Sequence, residues 1–218
     1  MNKIKYGIIG ASGRLGSEVI NLFNEKGHTL VFSFDVNGEY RSGQPQILID
    51  CSLPEVFPKS IEYFKEFNIP FIIATTGLSK INLVELKSLA EKIPVVQSYN
   101  YSVGIQILLK LTEIAADKLK DWDVEISETH HRFKKDKPSG TAKMIQSIFK
   151  EREVNTSSLR LGNVAGEHTI SFGGLGEVLS ISHSATSRRT FAEGILKSAE
   201  FVISKKNGLF TFTDVVFS

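Results

Sequence analysis

Short apolar runs alternate with segments of helical periodicity through the first hundred residues, and this alternation limits the possible folds of the chain more than any other feature. The apolar runs, interpreted as strands, are residues 4–10, 29–35, 47–52, 70–76 and 94–100. The segments between them carry apolar residues at helical spacing and stop at Gly or Asn. Repeated strand–helix–strand units predict an α/β fold with a doubly wound parallel sheet and right-handed crossovers. Residues 36–46 are too few and too polar for a helix, so we expect one abbreviated unit.

The pattern changes after residue 101. Residues 102–120 predict a long amphipathic helix with one apolar face, formed by Ile105, Leu108, Leu109, Leu111, Ile114 and Ala115. Strand candidates with few helices between them follow, which favours an α+β domain on an open, mostly antiparallel sheet. A final helix and an alternating strand over 208–217 should pack back on the first domain. The sequence therefore predicts a Rossmann-like domain over 1–101, completed by 189–218, and a second domain over 102–188.

Composition narrows the classes of partner. The formal net charge of the 218 residues is +2, from 26 basic and 24 acidic side chains. This balance gives no field that would favour nucleic acid, and no apolar run approaches the roughly 20 residues of a membrane span. Cys51 is the only cysteine, which excludes an intrachain disulfide and indicates a reducing, cytoplasmic location. We expect Cys51 to be a small buried residue and not a nucleophile.

A glycine-rich turn joins the first strand to the first helix. Its sequence is Gly10-Ala11-Ser12-Gly13-Arg14-Leu15-Gly16, with GxxGxxG spacing. Such glycines let backbone N–H groups approach a pyrophosphate, and the helix start adds partial positive charge. Asp35 ends the second strand about twenty residues later, where a carboxylate accepts from the adenosine ribose hydroxyls. We predict a dinucleotide site with Gly10, Ser12, Gly13, Arg14, Leu15 and Asp35 as ligands; a turn that binds nothing is the alternative.

Three more strand ends should meet the same crevice, because ligands of open α/β sheets bind beyond the carboxyl ends of the strands. The predicted cofactor-binding residues there are Ser52, Thr75, Thr76, Gly77, Asn100 and Tyr101. Each segment alone is also compatible with ordinary turn chemistry. No Arg or Lys directly follows Asp35, so charge favours NADH over NADPH. Arg14 and Arg41 are near enough in sequence to leave NADPH open.

The segment ETHHRFKKDKPSGTA, residues 128–142, concentrates two histidines and four cations before a helix start. His130 and His131 end a predicted strand, where neighbouring side chains point to opposite faces. The pair lacks the helical i,i+4 spacing of zinc ligands and has no nearby Cys, so no metal site is predicted. The lysines and the capped start at residues 138–141 suit a carboxylate, and a histidine above it could act as general acid or base. A charged surface hairpin before a capped helix is the alternative without a ligand.

The same segment resembles the signature of the dihydrodipicolinate reductase family, also called 4-hydroxy-tetrahydrodipicolinate reductase. The resemblance continues through Gly10-x-x-Gly13-Arg14-Leu15-Gly16, Thr75-Thr76-Gly77, Asn100-Tyr101-Ser102-Val103-Gly104, Arg160-x-Gly162, Gly166-Glu167-His168, His183-x-Ala185-x-Ser187-Arg188 and Phe191-Ala192-x-Gly194. It covers essentially the whole chain. Two substitutions depart from it: Ala74 replaces the usual Gly before Thr-Thr-Gly, and Val36 stands where an Arg often assists 2′-phosphate binding. The chain is also shorter than many members, with the missing length between Asp35 and Gln46.

The resemblance implies an enzyme of lysine and diaminopimelate biosynthesis that reduces a small cyclic dicarboxylate with NADH or NADPH. It implies that His130 is the general acid/base and that Lys134 donates a proton to the ring. The residues that it implies for the two substrate carboxylates are His131, Lys134, Ser139, Gly140, Thr141 and Arg188. It also implies a homotetramer, with the sheets of the substrate domains contributing to the interface.

Two other functions are compatible with parts of the sequence. Another two-domain Rossmann oxidoreductase could act on a small acidic substrate, although aldehyde oxidation through a thioester would need a thiol and residues 102–188 contain no Cys. An amino-acid dehydrogenase would not need the dense cluster over residues 134–141. A non-catalytic dinucleotide sensor would bind NADH without turnover, and it gives no reason for an intact His-Lys-Ser-Gly-Thr set.

Overall fold

The computed structural model describes residues 3–150 and 152–218, which form two compact units. The first unit runs to Tyr101 and resumes at Arg188, and the second spans Ser102–Ser187. The structure thus groups Arg188 with the first unit, one residue earlier than the boundary predicted from the sequence. No helix of the described residues has the length and apolar character needed to cross a membrane.

The elements follow one another in an α/β order and then in a strand-rich order. They are β1 (Lys5–Ile9), α1 (Arg14–Glu25), β2 (Thr29–Asp35), β3 (Gly38–Arg41), β4 (Ile47–Asp50), α2 (Phe57–Phe67), β5 (Phe71–Ile73), α3 (Lys80–Ala90), β6 (Pro94–Gln97), α4 (Val103–Lys118), β7 (Asp123–His130), α5 (Gly140–Gln146), β8 (Asn155–Arg160), β9 (Glu167–Gly173), β10 (Val178–Ser184), α6 (Arg189–Val202), β11 (Gly208–Phe210) and α7 (Phe212–Val216). A short 3₁₀ turn, Pro54–Val56, precedes α2.

The first unit is built on a seven-stranded sheet in the order β11-β6-β5-β4-β1-β2-β3. Every neighbouring pair is parallel except β2–β3, which is antiparallel. Helices α1, α6 and α7 bury their apolar side chains in one cluster with the sheet, and α2 and α3 bury theirs in another. The predicted Rossmann-like, doubly wound sheet is therefore confirmed. The abbreviated unit over 36–46 contributes β3, an antiparallel edge strand in place of a helix.

The prediction of a strand over 208–217 is wrong beyond Phe210. Helix α7 begins at Phe212 because Thr211 and Asp214 form a capping box, in which each side chain accepts a hydrogen bond from the other residue's backbone N–H. The three residues of β11 pair in parallel with β6 at the edge of the sheet. In this short segment the helix-start signal determines the secondary structure, and the alternation of apolar residues does not.

Two glycines let elements of the first unit approach more closely than any side chain would allow. A Cβ added at Gly16 would lie 2.1 Å from the carbonyl oxygen of Gly10, and one added at Gly194 would lie 1.8 Å from that of Tyr101. The first contact seats the start of α1 on the turn after β1. The second seats α6 on the chain that leaves β6.

The second unit is a four-stranded sheet in the order β10-β9-β7-β8, with β8 parallel to β7 and the other pairs antiparallel. Helices α4 and α5 cover one face, around Ile126, Ile170 and Phe172. The opposite face carries short polar pairs such as Thr169–Ser182 and Ser171–Ser180, with oxygen separations of 2.9 and 3.2 Å. The predicted α+β fold with an open, mostly antiparallel sheet is confirmed.

The predicted apolar face of α4 is wrong for two residues. Leu111 and Ile114 are 47% and 54% exposed, whereas Thr112 is buried. Burial follows Ile105, Leu108, Thr112 and Ala115, which lie on a single stripe of the helix. Thr112 tolerates this position because its hydroxyl donates to the carbonyl oxygen of Leu108 at 2.8 Å.

Candidate active site

The turn after β1 is shaped for close backbone approach. Gly10 adopts a φ of +84°, and a Cβ there would lie 2.8 Å from the backbone of Cys51. Gly13 is the residue before α1, and no side chain within the described residues caps that helix. The N–H groups of the first turn of α1 are therefore available to a phosphate. These residues fit the pyrophosphate of a dinucleotide.

A cavity of about 500 Å³ adjoins this turn. It is lined by Gly10, Ser12, Gly13, Arg14, Phe34, Asp35, Val36, Cys51, Ser52, Leu53 and Val56. Asp35 accepts hydrogen bonds from the backbone N–H groups of Asn37, at 2.7 Å, and Ser12, at 3.0 Å. These hydrogen bonds lower the pKa of Asp35, and the bond from Asn37 has the largest effect. The carboxylate is therefore ionised at neutral pH and can accept hydrogen bonds. Leu15 is not part of the lining and packs against the hydrophobic core.

The two arginines near the adenosine end of the predicted site differ in their partners. Arg41 forms ion pairs with Glu66 at 2.5 Å and Glu39 at 3.1 Å, and its guanidinium lies over two phenylalanine rings. Arg14 is exposed and lines the cavity. Burial, followed by the charge of Arg14, lowers the pKa of Arg188, which belongs to the same unit. Of Arg14 and Arg41, Arg14 is therefore the cation that lines the cavity.

A buried carboxylate connects the ends of β4 and β5. Asp50 is fully buried, and its Oδ1 accepts from the backbone N–H of Ser52 (2.9 Å), from the Ser52 hydroxyl (2.5 Å) and from the Thr75 hydroxyl (2.7 Å). Thr75 is therefore buried, while Thr76 and Gly77 are exposed. Sequence reasoning assigned no role to Asp50, although an acidic residue closing the apolar strand ILID was a visible signal.

Tyr101 and Cys51 lie near the carboxyl ends of the parallel strands. Tyr101 is buried, and Cys51 lines the cavity. The hydroxyl of Tyr101 donates to the carbonyl oxygens of Ile73 and Val96, at 2.8 and 3.1 Å, so this side chain ties β5 to β6. Cys51 is only partly buried, which corrects the expectation of a buried residue. Burial, and then the charge of Asp50, nevertheless raises the pKa of its thiol, so the thiol stays protonated and is a poor nucleophile.

In the second unit, His130 ends β7 with its ring bonded to a buried acid. The Nδ1 atom of His130 hydrogen-bonds to Oε2 of Glu128, whose side chain is fully buried. Arg160 donates to both oxygens of that carboxylate, at 2.9 and 3.1 Å. Burial alone would raise the pKa of Glu128, but hydrogen bonds from Arg160, Ser158 and His130 outweigh it and lower the pKa to about 2. Glu128 is therefore a buried anion whose oxygens accept hydrogen bonds from several donors.

The imidazole of His130 is neutral at pH 7. Burial lowers its pKa, Glu128 opposes that shift, and the nearby charges of Lys134 and Arg160 reinforce it. An ionised Glu128 can only accept, so the ring proton resides on Nδ1 and the lone pair on Nε2. A Cβ at Gly166 would lie 3.1 Å from Nε2, so the glycine keeps that nitrogen uncovered.

Lys134 lies on the loop after β7, and its charge is paired. Its Nζ is 2.7 Å from Oδ1 of Asp136, and its side chain is 23% exposed. Burial raises the pKa of Asp136, but the hydrogen bond and charge of Lys134 outweigh this and lower it. Lys135 and Lys137 are exposed. The loop therefore presents one partly sheltered ammonium group close to the His130 site.

The start of α5 is bonded to the same cluster. Ser139 accepts through Oγ from the backbone N–H of Ala142, at 3.1 Å, and its own N–H donates to Glu128 Oε1 at 3.3 Å. Its Oγ also lies 3.3 Å from Nε2 of His168. Ser139 is 1% exposed, so its polar groups are used within the protein, whereas Gly140 and Thr141 form the first turn of the helix.

His168 is a second buried imidazole beside His130. The ring centroids are 5.1 Å apart in an edge-to-face arrangement. Burial, and then repulsion by His130 in its protonated form, lowers the pKa of His168 to about 3, so this ring is neutral and can accept a hydrogen bond from the Ser139 hydroxyl. Glu128, His130 and His168 offer ligand atoms within 4.8 Å of one another. Because Arg160 already occupies both oxygens of Glu128, the cluster suits proton transfer better than a cation.

The structure brings His130, Lys134, Ser139, Gly140 and Thr141 into one neighbourhood of the second unit, with His131 directly after β7. It places Arg188 and the predicted cofactor residues in the first unit. Sequence reasoning gave no role to Glu128, Arg160 and His168. Glu128 shares a strand face with His130, Arg160 pairs with His130 across β7–β8, and His168 pairs with Glu128 across β7–β9. The two-residue spacing from Glu128 to His130 was visible in the sequence, and Arg160 and His168 appeared there only as members of motifs that carry the family resemblance.

Both units have counterparts among known proteins. The model described as "Dihydrodipicolinate reductase, N-terminus" matches residues 4–101, and the model described as "Dihydrodipicolinate reductase, C-terminus" matches residues 104–216. The chain belongs to the dihydrodipicolinate reductase family. The resemblance inferred from the sequence is thereby confirmed, and the nicotinamide-dependent oxidoreductase class follows from it.

Individual relatives in the dihydrodipicolinate reductase family agree along the full chain. The 4-hydroxy-tetrahydrodipicolinate reductase of Thermosipho africanus is 41% identical over 213 residues, which covers 98% of each protein. That of Caldanaerobacter subterraneus subsp. tengcongensis is 35% identical over 242 residues and covers 96% of each.

Solved structures agree with the fold. The dipicolinate-bound dihydrodipicolinate reductase from Paenisporosarcina sp. TG-14 has a TM-score of 0.76 at 23% identity, covering 96% of this chain and 98% of that one. An aspartate dehydrogenase from Thermotoga maritima has a TM-score of 0.56 at 15% identity, covering 94% of this chain and 98% of its own. These two comparisons support the two-unit fold.

Proposed function

We propose that this chain reduces 4-hydroxy-tetrahydrodipicolinate to tetrahydrodipicolinate in lysine and diaminopimelate biosynthesis. When bound, the nicotinamide supplies a hydride to the ring, so that substrate, NAD(P)H and one proton give product, NAD(P)⁺ and water. The observation that carries the proposal is a pair of proton-transfer groups in a chain of this family: His130, bonded to Glu128, and Lys134, on the loop that follows the same strand. Proton transfer to a small ring is what this pair can do.

The two units would bind different molecules. The first would bind the dinucleotide through the uncapped start of α1, the carboxylate of Asp35 and the exposed turn after β5. The second would bind the dicarboxylate beside His130 and the start of α5. Arg188, from the first unit, stays a predicted carboxylate ligand. Ser139 would support the site from within, because its polar groups already bond to the protein.

Lys134 would donate the proton that the ring takes up. Its ammonium group is held by Asp136, and a substrate anion can compete for the same donors. His130 presents the lone pair of Nε2, so it can accept a proton near neutral pH and return it. The negative substrate would draw Lys134 towards the ring, and proton delivery would then depend on bound substrate.

NADH should be the better cofactor, although both should serve. The anionic Asp35 suits the ribose hydroxyls of NADH and repels a 2′-phosphate. Val36 follows it and is 95% exposed, so no cation stands at that position. Arg41 is paired with two glutamates, which leaves Arg14 as the exposed cation that lines the cavity.

A homotetramer is proposed through the uncovered face of the second sheet. That face is a polar surface of serine and threonine pairs, and an uncovered sheet with free edge strands invites pairing with another copy. A small dicarboxylate would be the other partner. The chain offers no net charge that would favour nucleic acid or a membrane.

The function is tested by following the absorbance of NADH, and separately of NADPH, while freshly generated 4-hydroxy-tetrahydrodipicolinate is added. We expect oxidation that requires substrate and that dipicolinate inhibits competitively, since a relative of this fold binds dipicolinate. Folded protein that oxidises neither cofactor would contradict the proposal. Binding of NADH without turnover would instead favour the sensor function.

A further inference from the structure

We propose that Glu128 and Arg160 are positioning residues: this one ion pair fixes the proton of His130 on Nδ1 and holds the loop that carries Lys134. The two proton-transfer groups would then be aligned by the same pair. The inference rests on the function proposed above, because it assigns a role within the same site.

Glu128 fixes the tautomer of His130 through a hydrogen bond to Nδ1. Glu128 lies two residues before His130 on β7, so both side chains are on the same face of the strand. The carboxylate accepts from Nδ1, and its burial denies it water as a competing partner. The lone pair of His130 must then be on Nε2, the nitrogen left uncovered by Gly166.

Arg160 keeps the carboxylate of Glu128 ionised. A buried carboxylate without a cation takes up a proton, and a protonated Glu128 could donate to Nδ1 and move the ring proton to Nε2. Arg160 prevents this with bonds of 2.9 and 3.1 Å to the two oxygens. Its own side chain is 8% exposed, so the pair is shielded from solvent.

Arg160 also holds the loop that carries Lys134. The Nε atom of Arg160 donates to the carbonyl oxygen of Lys134 at 3.2 Å, and its Nη2 atom donates to the carbonyl oxygen of Asp136 at 2.5 Å. The guanidinium therefore bonds to Glu128 and to the backbone on both sides of residue 135. A lysine at position 160 has a single nitrogen and could not reach all of these oxygens.

The test compares E128Q and R160K with two controls. E113Q changes an exposed acid of the same unit, and R152K changes an arginine whose guanidinium donates to the backbone carbonyls of residues 119 and 120. We expect E128Q and R160K to lose about 10²–10⁴-fold in kcat, the usual size for a disabled acid–base group, with little change in the KM for NADH. Both controls should keep wild-type turnover.

Two readouts separate positioning from a purely structural role. In E128Q the ionisation of His130 in the kcat–pH profile should move to lower pH, because the anion that favoured the imidazolium is gone. In R160A, added guanidinium chloride at concentrations below unfolding should restore part of the turnover, whereas sodium chloride at equal ionic strength should not.

Imidazole ¹⁵N shifts of the wild-type protein give a readout that needs neither turnover nor a variant. We expect Nδ1 of His130 protonated and Nε2 unprotonated at neutral pH. A proton on Nε2, or an E128Q enzyme with unchanged kcat and pH profile, would overturn the proposal. If wild-type protein showed the expected tautomer but oxidised no cofactor, the proposed function would fail while the tautomer assignment stood.

Discussion

At the scale of single residues, two adjacent histidines have different environments because β7 ends between them. His130 is the last residue of the strand, and its ring is buried against Glu128. His131 follows the strand, and its ring lies 6.4 Å from that of the exposed Phe133. Strand alternation predicted that the pair would separate, and the hydrogen bond to Glu128 gives His130 a fixed tautomer.

Replacing Lys134 tests the proposed proton donor. K134A should lose about 10²–10⁴-fold in kcat, because a positioned acid is removed, while the affinity for NADH changes much less. The measurements are steady-state turnover and a fluorescence titration of NADH. K135A, which alters an exposed neighbour, is the matched control and should behave like the wild type. Near wild-type turnover in K134A would remove Lys134 from the mechanism.

His168 should make the protein less stable in acid. Its pKa in the folded state is about 3, whereas an unfolded histidine titrates near 6.5. Below about pH 6.5 the unfolded chain binds a proton that the folded chain excludes, so the free energy of unfolding falls as pH decreases. Denaturant midpoints at several pH values measure the slope. H168Q should show a shallower slope between pH 6.5 and 5, and an unchanged slope would contradict the assignment.

The sequence predicted the residue types of the site better than their contacts. His130, Lys134 and the start of α5 lie within one stretch of fifteen residues, so their proximity could be predicted. Arg160 is 32 residues from Glu128, and the contact exists only because β8 pairs with β7. Such pairing depends on tertiary packing, which no local pattern in one sequence specifies.

At the scale of elements, long periodic segments were predicted well and short ones were not. The alternation of strands and helices predicted the parallel sheet, because most of these segments are long enough to show a strand or helix periodicity. The prediction of a strand over the short segment 208–217 was wrong beyond Phe210, because Thr211 and Asp214 start a helix inside an alternating pattern. For α4 the helix was predicted correctly, but the predicted buried face was wrong in part. Several apolar residues lie outside the buried stripe, because tertiary packing determines which face of the helix is buried.

The end of β2 should set the cofactor preference. V36R places a cation next to Asp35 on an exposed residue, so it should improve the KM for NADPH relative to NADH by about two- to fivefold, the size of an exposed charge interaction. The ratio of kcat/KM values for the two cofactors measures the change. Y40R, on the neighbouring edge strand, is the control. An unchanged ratio in V36R would place the 2′-phosphate elsewhere.

At the scale of the whole molecule, the open face of the second sheet should determine assembly. Ser171 lies on that face, directly opposite Glu125 on β7. S171R can pair with Glu125 within one chain, yet its bulk would separate two copies that meet there. We expect a tetrameric mass for the wild type and a lower mass for S171R in light scattering. K80E, exposed at the start of α3 in the first unit, should remain tetrameric. A tetrameric S171R would exclude this face as the interface.

Hydride transfer from a nicotinamide to the ring of a hydroxylated cyclic dicarboxylate is the step on which the proposed function depends. The most direct measurement is the mass of the product after turnover with NADH that carries two deuterium atoms at the transferring carbon. We predict tetrahydrodipicolinate with one deuterium, formed in equal amount to the NADH consumed. Unlabelled product, or NADH consumed without any tetrahydrodipicolinate, would contradict the account.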